Sequence, residues 1–90
     1  MWEVMKFKDA IQAALAECGC RLQSISEAQT GAGWQRCRLD YQRHNGRRAR
    51  VFFYLLDGSS ETTVRQDVIQ AVLYQEQLLT QTMGGMAESA

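Results

Sequence analysis

The side chains able to do covalent or acid–base chemistry are few and scattered in this chain. They are one histidine (His44), three cysteines (Cys18, Cys20, Cys37) and two carboxylates at four-residue spacing, Asp57 and Glu61. Catalysis needs a nucleophile or an acid–base group held beside a partner. His44 sits next to Asn45-Gly46, in a predicted hairpin turn, where a base is poorly held. Cys37 falls at a predicted core position, where a thiol is inert packing. Cys18-Gly19-Cys20 straddles a helix end; it is not a CxxC redox motif, and no second pair completes a zinc site. Asp57 and Glu61 flank a helix start, where carboxylates serve as capping and dipole charge. The Gly31-Ala32-Gly33 stretch is too short and badly placed for a phosphate loop. The inventory predicts no catalytic, cofactor or metal site.

A second kind of chemistry is concentrated in the middle of the chain. Between Trp34 and Leu56 stand six arginines (Arg36, Arg38, Arg43, Arg47, Arg48, Arg50) against one acid, Asp40. From Asp57 onward the balance reverses, with Asp57, Glu61, Asp67, Glu76 and Glu88 facing Arg65, so a net charge of zero hides a dipolar chain. Such asymmetry fits an anionic partner for the middle, or acidic helix residues answering basic strand residues within one fold. Arginines interleaved with aromatics on a sheet face could also contact phosphates and stack on bases. Nucleic acid is therefore an alternative partner to protein.

The elements that must position these residues follow from periodicity. Val4, Phe7, Ile11, Ala14, Leu15 and Cys18 recur at three- and four-residue steps, the pattern of an amphipathic helix, and Gly19 stands where a left-handed cap ends it. Residues 20–29 are extended but poorly patterned. Leu22 and Ile25 fall on opposite faces of an ideal strand, which predicts a bulge or an irregular edge. Strands follow over residues 34–43 and 47–56, joined by Asn45-Gly46, a dipeptide that favours a type I′ turn with positive φ at both residues. Ser59 or Ser60 caps a second helix carrying Val64, Val68, Ala71, Val72, Leu78 and Leu79; Gly84-Gly85 should stop it. Ile69 and Leu73 lie well round from the centre of its apolar stripe, which leaves open that this helix touches two surfaces.

The predicted fold is a two-layer α+β domain over residues 1–84. It comprises a helix, a three-stranded antiparallel meander and a helix, with both helices on one face, followed by a flexible tail over 85–90. Its order matches that of double-stranded RNA-binding domains in sequence of elements alone. The second helix starts "SSETTVRQD", without the lysine cluster those domains place there. At 90 residues, 46% hydrophobic and 22% charged, the chain has the composition of one globular domain. No apolar run approaches the ~18 residues of a membrane span. The charged N-terminus lacks a signal-peptide core, and an odd number of thiols favours a reducing compartment, so a cytoplasmic location is expected.

A two-residue loop at Asn45-Gly46 would pair His44 with Arg47. That register sets Leu39 opposite Phe52 on the core face, and Arg38 opposite Phe53 with Arg36 opposite Leu55 on the other. The second face would then present Trp34, Arg36, Arg38, Val51, Phe53 and Leu55 as a partner-binding surface. A slip of one residue would exchange the faces of the third strand yet leave both arginines opposite apolar partners. An uncovered, proline-free apolar edge invites pairing. The expected function is a non-catalytic protein-binding domain acting as a homodimer, and the alternative is a nucleic-acid-binding regulator.

Overall fold

The computed structural model describes residues 4–89, with side chains over 4–81. A 3-10 turn, Val4–Phe7, leads into helix α1, Lys8–Glu17. Strands β1 (Arg21–Gly31), β2 (Trp34–Gln42) and β3 (Arg48–Leu56) form an antiparallel sheet in that order, and helix α2 (Glu61–Ser89) follows. This is the predicted α+β arrangement. One buried cluster joins Ile11, Ala14 and Leu15 of α1, Val64, Val68 and Val72 of α2, and Cys37, Leu39, Tyr41, Val51, Phe53 and Leu55 of the sheet. Both helices therefore cover the same face, and the other face of the sheet is bare.

Local chemistry sets the ends of the helices. The N–H of Cys20 donates to the Leu15 carbonyl at 2.8 Å beyond Gly19, closing α1 with a left-handed cap. Ser60 caps α2, its hydroxyl accepting the Thr63 N–H at 3.2 Å. Helix α2 runs through Gly84 and Gly85, where a stop is expected. A helical glycine costs about 1 kcal/mol relative to alanine, and without a following proline the pair does not oblige the helix to end. Of the tail expected over 85–90, residues 85–89 are the end of α2 and Ala90 lies outside the described residues. A polar clamp fixes α2 to the end of β2: Tyr41 Oη donates to Glu76 at 2.8 Å, and Arg43 Nε reaches both Glu76 oxygens at 2.9 and 3.0 Å.

The second hairpin corrects the predicted register. Arg43 N–H donates to the Arg47 carbonyl, and Gly46 N–H to the Arg43 carbonyl at 2.9 Å. Of the turn residues only Gly46 has positive φ, 86°, and Asn45 instead accepts the Arg47 N–H on its side chain at 2.9 Å. The loop thus holds three residues, His44 to Gly46, with the glycine in the left-handed position. The extra loop residue moves β3 by one place against β2. Cys37 now faces Phe53, Leu39 faces Val51, Arg38 faces Phe52 and Arg36 faces Tyr54. Because side chains alternate, a slip of one exchanges both faces of β3. Val51, Phe53 and Leu55, expected on the bare face, are core residues, and Phe52, Tyr54 and Leu56 take their place outside.

The irregularity expected in the first strand is present. The β1–β2 register shifts between Leu22 and Ser24 and again between Glu27 and Gln29, leaving Gln23 and Ala28 as the extra residues. The first shift brings Leu22 and Ile25 to the same side, opposite Tyr41 and Leu39.

Candidate protein-binding face and edge

On the bare face the arginines and aromatics are interlocked. The Arg36 guanidinium lies 4.0 Å above the centre of the Phe52 ring. This cation–π contact also covers apolar surface with the arginine stem. Trp34 packs against Tyr54 with ring centroids 5.7 Å apart and planes tilted by 58°. The indole also lies across Gly31, where any side chain would run into it. Even so, Phe52, Tyr54 and Leu56 remain 37, 54 and 55% exposed. They form an apolar row along the outermost strand.

Asp40 organises the polar half of the same face. It accepts from Arg50 Nε at 2.8 Å and from the Ser24 hydroxyl at 3.0 Å, and Arg38 Nε stands 3.6 Å away. The Arg50 hydrogen bond holds the Asp40 carboxyl below its ordinary range, against partial burial, which pushes the other way. Four of the six clustered arginines therefore have partners within the chain: Arg36 on Phe52, Arg38 and Arg50 on Asp40, and Arg43 on Glu76. Arg47 and Arg48 are exposed at the hairpin.

Strand β3 is also one of the two edge strands of the sheet. The bonds Arg43 N–H to Arg47 O and Asp57 N–H to Gly33 O bracket its ladder with β2. Antiparallel alternation between them turns the backbone groups of Ala49, Val51, Phe53 and Leu55 toward β2. Those of Arg48, Arg50, Phe52, Tyr54 and Leu56 point away from the sheet. Among the described residues only the Leu56 carbonyl of this outward set is bonded to another backbone group, the Ser59 N–H. Beside this edge runs a groove of about 650 Å³ whose far wall is Asp67, Gln70, Ala71 and Tyr74 of α2. Tyr74 is 64% exposed. Of the two residues of α2 set apart from its apolar stripe, Ile69 packs against the core and Leu73 is exposed.

Of the six residues expected to form the binding surface, Trp34, Arg36 and Arg38 lie together on the bare face, and Val51, Phe53 and Leu55 lie beneath it. The residues missed are Phe52, Tyr54, Leu56 and Tyr74. One sequence signal could have found the first three. The register that sets Asp40 opposite Arg50 makes an ion pair, whereas the two-residue loop sets Asp40 opposite Val51 and Arg50 opposite Tyr41.

The reactive side chains are dispersed. Cys37 is fully buried, and burial pushes its thiol up to about 11. Cys18 and Cys20 are raised by burial and then by nearby acidic charge. His44 is exposed in the turn, with Nδ1 3.8 Å from Glu76. Among the described residues no cluster of His, Cys, Asp or Glu could hold a metal, and no helix is long and apolar enough to cross a membrane. Comparison of the chain with protein-family models, with curated proteins and with solved structures gives no match.

Proposed function

We propose that this chain is a non-catalytic binding domain that acts through protein–protein contacts made by the bare face and open edge of its sheet, and that it self-associates as a homodimer. One observation carries the reading: a nine-residue, proline-free strand at the sheet edge exposes Phe52, Tyr54 and Leu56 in a row. A flat apolar edge is a template for another chain, and twofold dimers are the commonest oligomers. The three free thiols suit a reducing compartment, and we assign the protein to the cytoplasm.

Sedimentation at micromolar concentration tests the reading. A dimer insensitive to reducing agent is expected, because the association needs no disulfide. A monomer throughout the concentration range would remove self-association from it. The nucleic-acid alternative draws on the cation–aromatic stack of Arg36 on Phe52. It is weakened by the pairing of Arg38 and Arg50 with Asp40 and of Arg43 with Glu76, which leaves Arg47 and Arg48 at the hairpin as its exposed cations. Titration of mixed RNA and DNA at several salt concentrations separates the two readings, because phosphate contacts give affinity that falls steeply with salt. Salt-sensitive binding to either nucleic acid would favour the alternative.

A further inference from the structure

The geometry points to a specific form for this self-association, and we propose that two copies pair antiparallel through β3, centred on Phe52, to make one continuous six-stranded sheet. The inference rests on the homodimer reading and adds the surface, the direction and the register.

Composition along β3 selects the occupant and its direction. The outward residues divide into a basic half, Arg48 and Arg50, and an apolar half, Tyr54 and Leu56, about Phe52. Parallel pairing of two copies would set arginine beside arginine. Antiparallel pairing about Phe52 sets Arg50 opposite Tyr54 of the partner subunit and Arg48 opposite Leu56 of the partner subunit. Each cation then meets an aromatic ring or an aliphatic chain, and like charges are kept apart. One half of the strand complements the other, so the best partner for this edge is a second copy of it.

The backbone selects the register. The outward groups belong to alternate residues from Arg48 to Leu56, and centring the pair on Phe52 brings all of them into one ladder. Any other allowed register leaves residues of the strand overhanging. The groove beside β3 leaves the edge open, and across the twofold axis the two grooves would face each other, walled by Ala71 and Tyr74 of each α2. The bare faces of the two sheets would merge into one surface carrying two Trp34–Tyr54 pairs.

Cysteine trapping tests the register separately from the dimer. Paired residues of adjacent antiparallel strands have Cα atoms about 4.5–5.5 Å apart, within the range a disulfide spans. In a Cys18→Ser background, which removes the half-buried native thiol, Arg48→Cys and Leu56→Cys are made separately at exposed positions. After mild oxidation neither variant alone should give a covalent dimer, and an equal mixture should. Arg50→Cys mixed with Tyr54→Cys is a second pair, so weakening of one contact leaves the register testable. Sedimentation is run on the same samples. Dimers in which neither mixture cross-links would overturn the β3 pairing while leaving self-association standing. Cross-linking of each variant with itself and not in the mixtures would overturn the antiparallel direction. Monomers of the native chain at high micromolar concentration would overturn both the pairing and the homodimer.

Discussion

The two edges of this sheet are built in opposite ways. Strand β1 carries two bulges, at Gln23 and Ala28, and its exposed positions include Ser24, Glu27, Gln29 and Thr30. Its contribution to the core is two half-buried residues, Leu22 and Ile25. Strand β3 has no register shift, buries Val51, Phe53 and Leu55, and exposes Phe52, Tyr54 and Leu56. Bulges and polar side chains are the devices by which proteins blunt an edge. The chain therefore guards β1 along its length, whereas β3 is regular, charged at its Arg48–Arg50 end and apolar and open from Phe52 to Leu56. Such an asymmetry is what a domain needs to add one neighbour in a fixed place without growing into a fibre, since a twofold pair closes after a single interface.

The largest test of this contrast lies on the inner side of the two strands. Phe53→Ala removes a buried ring and should cost about 3–5 kcal/mol of folding stability. Ile25→Ala, at a half-buried position on β1, should cost about 1–2 kcal/mol by the smaller area involved. Denaturant unfolding of the two variants measures both. Equal losses would mean that β1 carries as much of the core as β3, and the contrast would fail.

The hairpin that presents β3 comes next. Gly46 has φ of 86°, a conformation a β-branched side chain resists. Gly46→Val should destabilise by about 2 kcal/mol, within the range for a strained non-glycine residue. Asn45 has negative φ and acts through its side chain, so Asn45→Ala should cost less. Comparable losses at both positions would point back to a two-residue turn and to the other register.

That one turn explains most of the difference between what the residues announce and what they form. Element order, the capping of α2 at Ser60, the Gly19 terminator and the bulge between Leu22 and Ile25 are all local, written in spacing and in residues with narrow backbone preferences. The β2–β3 register is local too, but Asn45-Gly46 serves a two-residue or a three-residue loop, and the side chain of Asn45 decides by bonding the Arg47 N–H. With Val51 to Leu56 wholly apolar, alternation cannot arbitrate: either set of three could be core. Only the charges could, through Asp40 and Arg50. The arginine half of the face was legible because either register leaves Arg36 and Arg38 opposite apolar partners. The part played by Tyr74 was not, because it depends on where α2 crosses the sheet, which only the packed core sets.

A lysine placed on each edge compares the two directly. Tyr54→Lys puts a charge into the open row, a device natural edges use against pairing, and should weaken dimerisation at least about fivefold, the loss of a contributing interface residue. Ala28→Lys, at the second bulge of β1, should leave the dimer unchanged. Both positions are exposed: Ala28→Lys should change folding stability by no more than about 0.5 kcal/mol, and Tyr54→Lys, which loses the Trp34 contact, by about 0.5–1.5 kcal/mol. Sedimentation equilibrium of the two variants gives the answer. A dimer weakened by Ala28→Lys and indifferent to Tyr54→Lys would move the interface to the other edge.

The smallest effect belongs to the carboxylate that ties the two edges together across β2. Asp40 takes the Ser24 hydroxyl of β1 on one oxygen and the Arg50 guanidinium of β3 on the other. Because these partners favour the ionised form, the folded-state pKa is depressed. The stability this provides is fully present above the unfolded value of about 3.9 and is lost as pH falls from there through the folded value. Arg50 is more than half exposed, so the whole contribution should stay below about 1 kcal/mol. Asp40→Asn should therefore lower stability slightly at neutral pH and progressively less as pH falls below the unfolded value, flattening the acid limb of the stability curve. If the wild-type advantage instead persists unchanged to pH 2, the carboxylate's charge is not what joins the edges. Its hydrogen-bonding shape, which asparagine only half reproduces, would then be the link between the guarded strand and the open one.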